Sequence, residues 1–76
     1  MQIKVRLFAT LRAGRGKEVI VELNENEEVT PQRIIEKLQI TVQDVAILLI
    51  NGRDGHLNTG LSASDVISIF PPVGGG

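Results

Sequence analysis

The chain has 76 residues and a formal net charge of −1, which predicts one small domain without the basic surface that nucleic acid requires. It contains no cysteine, so a disulfide framework, a thiol nucleophile and a thiolate metal site are excluded. The longest aliphatic run, residues 45–50, is too short to cross a membrane, and no signal-peptide pattern begins the sequence. We therefore expect a cytoplasmic protein that binds neither nucleic acid nor membrane.

Two strands are predicted in the first third of the chain. Residues 2–9 and 17–23 both alternate apolar and polar side chains, which is typical of half-buried strands. Phe8 breaks the polar pattern on the outer face of the first strand. The glycine-bearing connection, residues 10–16, predicts an antiparallel pair. Charged residues in and beside this connection are expected to be solvated, as loop charges usually are: Arg12, Arg15 and Lys17.

A short helix is predicted to follow these strands. Thr30 is a favoured N-cap residue, and Pro31 suits the first helical position, where a backbone N–H has no helical partner. The next apolar residues recur at helical spacing, so the helix is expected to lie on the sheet through Ile34, Ile35 and Leu38.

The second half of the chain predicts two more strands. Residues 45–50 are apolar on both faces and end at Asn51-Gly52, a strong signal for a tight turn, and residues 66–70 form the last strand. The intervening stretches are expected to reach the core through Ile40, Val42, Leu57 and Leu61. The order β-β-α-β-β predicts an α+β fold in which one helix packs across one face of a mixed sheet.

The outer face of this sheet carries an unusual apolar patch. If alternate residues of the last two strands face the helix, Leu49 and Phe70 face outward beside Phe8. An apolar patch left in water is costly, which favours a docking surface for a partner protein over a patch covered by a loop.

Other polar clusters are weak candidates for a site. His56 is the single histidine and has no nucleophile or metal-ligand companion at a recognisable spacing, so an exposed surface histidine is favoured. Glu25, Glu27 and Glu28 lack the ligand spacing of a calcium loop, so we expect a solvated turn and no metal site.

The stretch after residue 70 is the strongest functional signal. Two prolines favour an extended backbone, and three glycines carry no side chains, so residues 71–76 predict a slim reactive tail beyond a domain of residues 1–70. The chemical group of this tip is the α-carboxylate of Gly76, which is ionised at neutral pH. The alternative is an ordinary frayed terminus, although frayed ends are usually polar and charged.

The run Phe70-Pro71-Pro72-Val73-Gly74-Gly75-Gly76 resembles the C-terminus of the MoaD/ThiS family, the ubiquitin-like sulfur carriers. Within that family it is most similar to the tails of molybdopterin synthase small subunits. The resemblance extends over nearly the whole chain through Phe8-Ala9, Asn51-Gly52 and the Leu-x-x-x-Asp stretch from Leu61 to Asp65. The chain departs from the family at Ser64-Asp65, where Gly-Asp is usual.

The resemblance implies a ubiquitin-like β-grasp fold with the first and last strands central and parallel. It also implies a carrier that is not itself an enzyme. A ubiquitin-activating-like (E1-like) adenylating enzyme would use ATP to activate Gly76, and a sulfur donor protein would convert it to a thiocarboxylate. The recipient would be the large subunit of molybdopterin synthase, and the chain itself would hold no cofactor.

In this resemblance the tail that threads into partner active sites comprises Pro71, Pro72, Val73, Gly74 and Gly75. The docking surface comprises Phe8, Leu49 and Phe70. Two alternatives stay open: a carrier for thiamine thiazole or cysteine synthesis, and a protein modifier joined to lysines through Gly76.

Overall fold

The computed structural model describes residues 1–24, 26 and 28–73. In these residues the chain forms, in order, strands β1 (Gln2–Leu7) and β2 (Glu18–Glu22), helix α1 (Pro31–Leu38), and strands β3 (Ile47–Ile50), β4 (Arg53–Asp54) and β5 (Val66–Phe70). Single 3-10 turns lie at Ala9–Arg12 and Val42–Asp44.

The strands described here form one mixed sheet in the order β2-β1-β5-β3-β4. β1 and β5 are neighbours at its centre and run parallel, while the β1–β2, β5–β3 and β3–β4 pairs are antiparallel. This arrangement is the ubiquitin-like β-grasp, and it confirms the predicted α+β class and the parallel central pair.

Helix α1 begins where the sequence predicts. Thr30 is the N-cap, Pro31 opens the helix, and the Thr30 hydroxyl accepts a hydrogen bond from the Arg33 amide at 3.4 Å. The Gln32 amide, which has no helical partner, donates to the Leu57 carbonyl at 2.9 Å. The long loop after β4 is thereby tied to the start of the helix, and Leu57 packs against the core as expected.

The end of α1 is stabilised by Arg15, a residue that was predicted to be solvated. Gln39 takes a left-handed conformation, with φ of 60°, and ends the helix. The Arg15 guanidinium donates to the carbonyls of Leu38 at 3.2 Å and Gln39 at 3.4 Å. The prediction of a solvated Arg15 is therefore wrong, because carbonyls at a helix end need donors and attract cations.

The core lies between α1 and one face of the sheet. Alternate residues of the two central strands have no exposed surface, and the helix contributes its own apolar stripe. The fully buried aliphatic residues are Ile3, Val5, Leu7, Ile34, Ile35, Ile67 and Ile69. Ile40 and Leu61 are also buried, as predicted. Val42 is not, since its side chain is 49% exposed on the 3-10 turn, and that expectation is wrong.

The Asn51-Gly52 turn forms a hairpin that the sequence only half predicted. Both residues have positive φ, 54° and 81°, as a two-residue turn with the twist of a hairpin requires. The chain then pairs Arg53 with Ile50 and adds the two-residue strand β4, where only turn structure was predicted. Gly55, which follows β4, packs against the Ile50 side chain. A larger residue would not fit there, because a Cβ would lie 2.7 Å from Cγ1 of Ile50.

Candidate functional site

The parallel central strands bring the two phenylalanines together. Leu7 is level with Ile69, so Phe8 and Phe70 are neighbours at the same end of β1 and β5. Their rings stack with centroids 4.0 Å apart and planes inclined by 10°. Both side chains are half-buried and lie on the sheet face away from α1. Phe8 and Phe70 thus lie side by side on the outer face, where the predicted docking surface placed them; that they bind a partner stays a prediction.

An apolar groove of about 470 Å³ opens beside this stack. Its walls combine residues from the turn after β1, from the first residue of β3 and from the first part of the tail: Phe8, Ala9, Thr10, Ile47, Phe70, Pro71, Pro72 and Val73. The groove is therefore continuous with the residues that carry the tail away from the sheet. A partner side chain seated in it would lie against the base of the tail.

Ile47 contributes to this groove where the sequence had pointed to Leu49. Ile47 is level with Phe70 across the β3–β5 pair, and its side chain is 50% exposed. Leu49 is level with Ser68, one pair further along the same face, and does not line the groove. Alternation along β3 turns Ile47 and Leu49 to the same face, and the register of β3 on β5 decides which of the two lies beside Phe70.

Arg12 borders the stack, although the sequence assigned it to solvent. Its Nε donates to the Leu7 carbonyl at 2.8 Å, and its guanidinium carbon lies 5.2 Å from the centroid of the Phe8 ring. That distance is within the range of a cation–π contact. Ala9, with φ of 53°, turns the chain out of β1 so that Arg12 can fold back on it.

The opposite end of β5 is pinned by a network of polar side chains. The side-chain Nδ2 of Asn51 donates to Oδ1 of Asp65 at 2.8 Å, and the side-chain Oδ1 of Asn51 accepts from the backbone amide of Val66 at 2.9 Å. Asp65 also accepts from the Ser62 amide at 2.8 Å. The hydrogen bonds from Ser62 and then from Asn51 hold the pKa of Asp65 below its ordinary value of 3.8. The network lies away from the groove and fixes the hairpin to the start of β5.

The described part of the tail is exposed beyond Pro71. Pro71 is half-buried against the groove, Pro72 is exposed and Val73 is 95% exposed. Gly74, Gly75 and Gly76, which carry the predicted reactive tip, lie outside the described residues, as do Glu25 and Glu27. His56 is exposed, and its backbone amide donates to the Thr59 hydroxyl at 3.1 Å.

Within residues 1–24, 26 and 28–73, no helix is long and apolar enough to cross a membrane. No three His, Asp or Glu side chains of those residues converge as a metal site would need.

Comparison with known proteins adds to this geometry. The model of the ThiS family matches residues 5–76. A search of curated protein sequences gives no match. A putative molybdopterin converting factor subunit 1 from Pyrococcus furiosus is 26% identical, with a TM-score of 0.77 over 96% of this chain and 99% of that one.

Two further solved structures are similar. Subunits 1 and 2 of the molybdopterin-converting factor from Helicobacter pylori were solved as a complex; the matched chain is 27% identical, with a TM-score of 0.65 over all of both chains. SAMP1 from Haloferax volcanii, also described as small archaeal modifier protein 1, has a TM-score of 0.79 over all of both chains. Its identity of 23% supports the shared fold alone.

The fold is that of the ubiquitin-like β-grasp proteins, and its apolar groove lies where Pro71, Pro72 and Val73 leave β5. The chain belongs to the ThiS family, the ubiquitin-like sulfur carriers.

Proposed function

We propose that this chain is the small subunit of a molybdopterin synthase, a carrier that delivers sulfur as a thiocarboxylate on Gly76. The observation that carries the proposal is the apolar groove formed by Phe8, Ile47 and Phe70 where the tail leaves β5. A partner bound there would receive Pro71 and the residues after it at a fixed position. Similarity to two molybdopterin-converting-factor subunits supports the choice of pathway.

The chemistry begins with a poor electrophile. An ionised carboxylate resists attack by nucleophiles, so an E1-like adenylating partner would join a Gly76 oxygen to the α-phosphate of ATP and release pyrophosphate. The resulting acyl adenylate has AMP as a good leaving group. Hydrosulfide supplied by a donor protein then displaces AMP, which leaves, and the terminus becomes a thiocarboxylate.

The recipient step uses the same tail and the same surface. In this proposal the groove docks on the large subunit of the synthase, and the thiocarboxylate sulfur displaces an oxygen substituent of the pterin precursor. Water then cleaves the acyl–sulfur bond, which restores the Gly76 carboxylate and leaves one sulfur on the pterin. Two charged carriers in turn would therefore supply the two sulfurs of the dithiolene of molybdopterin. Because the chain has no cysteine, no thiol side chain can carry the sulfur. Carriers of this family are generally non-catalytic small subunits, so the catalytic side chains are expected to come from the partners.

Two alternatives use the same activation step. A carrier for thiamine thiazole or cysteine synthesis would accept the same sulfur but dock on a different recipient; the Phe70-Pro71-Pro72-Val73 run favours the molybdopterin branch. A protein modifier would instead pass Gly76 to lysine side chains. Because carriers and modifiers share the activation of the terminal carboxylate, the modifier is the second candidate.

Activation is tested by ATP–pyrophosphate exchange with the cognate adenylating enzyme. Deletion of Gly76, or Gly75→Val, is expected to abolish exchange, because the first removes the reacting carboxylate position and the second widens the tip. Circular dichroism and melting temperature serve as controls and should not change, since the packed core ends at Ile69. Unaltered exchange in both variants would contradict the proposal.

The fate of the tail separates carrier from modifier. A sulfur carrier isolated from its native cell should be found partly as a thiocarboxylate, heavier by the difference between sulfur and oxygen. It should revert to carboxylate when incubated with the large synthase subunit and the sulfur-free pterin precursor. Abundant Gly76–lysine linkage without any thiocarboxylate would instead establish the modifier.

A further inference from the structure

Phe8 is held between a cation and an aromatic ring. The amide of Leu7 donates to Lys17 on the β2 side of β1, and the amide and carbonyl of one residue point to the same side of a strand. Arg12, which donates to the Leu7 carbonyl, is therefore bound on the β2 side. Phe70 follows from β5, on the other side of β1. Arg12 and Phe70 thus flank Phe8 from opposite sides.

The Arg12 cation can stabilise the stacked arrangement of the two rings. Nearly parallel rings with centroids only 4.0 Å apart bring their electron-rich faces close together, closer than the roughly 4.5–7 Å that is usual for aromatic pairs. A guanidinium 5.2 Å from the Phe8 centroid draws electron density toward itself. Phe8 then presents a less negative face to Phe70, which favours the close parallel stack.

We infer that Arg12 is a positioning residue for the tail, acting through Phe8 on Phe70. The residue that it orients is the last of β5, and Pro71, with its restricted φ, follows at once. Fixing the Phe70 ring therefore fixes both one wall of the groove and the direction in which residues 71–73 leave the sheet. The inference rests on the proposed function, since it concerns delivery of the tail to the adenylating partner.

The role of Arg12 is tested by comparing Arg12→Gln with Arg53→Gln, which removes the same charge from an exposed position on β4. In the free protein, NMR ring-proton shifts of Phe8 and Phe70 and methyl shifts of Val73 report the stack and the start of the tail. In ATP–pyrophosphate exchange, KM for the carrier and kcat are measured separately. Melting temperature is recorded for every variant.

Arg12→Gln should move the Phe8, Phe70 and Val73 resonances and raise KM about two- to five-fold, the range that an exposed cation–π contact supports. The turnover number should hold, because the reacting carboxylate is unaltered. Arg12→Lys should recover part of the shifts and of KM, since it restores a cation. Arg53→Gln should leave all of these values at those of the unsubstituted protein.

Three results would overturn the inference. Unchanged ring and methyl shifts in Arg12→Gln would mean that Arg12 does not act on the stack. A raised KM with unchanged shifts would assign Arg12 to direct contact with the partner. A lowered melting temperature that accounts for the whole loss, with no recovery in Arg12→Lys, would make it a structural residue. Lack of exchange by the unsubstituted protein would count against the proposed function, while the NMR comparison would still decide the role of Arg12.

Discussion

The two faces of the central strands differ in composition and exposure. Toward α1, β1 and β5 present aliphatic side chains with no exposed surface, among them Val5, Ile67 and Ile69. Away from α1, the ends of the same strands present Phe8 and Phe70, stacked but half-exposed beside an open groove. Because neighbours along a strand point to opposite faces, adjacent residues can carry stability and recognition separately.

The largest effect on stability is expected on the helix-facing side. Ile69→Ala should lower the free energy of unfolding by about 2–5 kcal/mol, because it removes buried methyl groups and leaves a cavity between β5 and α1. Urea denaturation measures this loss. Ser68→Ala, one residue earlier and on the other face, is the matched control and should change stability by no more than about 0.5 kcal/mol. Equal losses in the two variants would contradict the division between faces.

The largest effect on binding is expected on the outer face. Phe70→Glu should weaken binding to both the adenylating enzyme and the recipient subunit by more than about 2 kcal/mol, roughly 30-fold in Kd. Titration calorimetry with each partner measures the change. The melting temperature should fall little, since the Phe70 side chain already lies outside the helix-covered core. A large fall in melting temperature with unaltered Kd would place Phe70 in the core instead.

A paired substitution sharpens the boundary of the docking surface. Ile47 lines the groove and Leu49 does not, so Ile47→Glu should weaken partner binding more than Leu49→Glu does. The two changes are identical in chemistry and lie on the same face of β3. If Leu49→Glu has the larger effect, the partner contacts the sheet beyond the groove, as the sequence pattern alone implied.

The smallest expected effect lies at the other end of β5. Because hydrogen bonds from Ser62 and Asn51 lower the pKa of folded Asp65, its contribution to stability is present above its ordinary pKa of 3.8 and is lost as the pH falls through the folded value. Asp65→Asn should lower the free energy of unfolding by less than about 1 kcal/mol at neutral pH, since these bonds are exposed to water. It should also flatten the acid limb of the stability curve, as urea titrations between pH 2 and 7 would measure. An unchanged acid limb would contradict this assignment.

Local patterns in the sequence were sufficient for much of the fold. Thr30 and Pro31 mark the start of α1 because capping depends on residues close in the chain. The hairpin turn at Asn51-Gly52 was predictable for the same reason. The two-residue strand β4 was missed because so short a segment has no periodicity of its own.

The candidate site was less predictable, because it depends on contacts between distant segments. Alternation placed Phe8 and Phe70 outward, but only the β3–β5 register shows that Ile47, and not Leu49, lines the groove beside Phe70. The interactions of Arg12 and Arg15 follow from carbonyls that only the folded chain brings near them. For a long cationic side chain on a loop, the sequence does not show whether the charge stays in solvent or binds backbone carbonyls.

The parallel pairing of β1 with β5 also bears on how fast and in what order the protein folds. The paired strands are separated by β2, α1, β3 and β4, so their contact closes a long loop, and such non-local contacts slow folding. A β1–β2 hairpin and a capped α1 can form earlier from local sequence, but neither contains both phenylalanines. Any intermediate that lacks the β1–β5 pair also lacks the groove, so the groove is present only in chains that have formed this late, non-local contact.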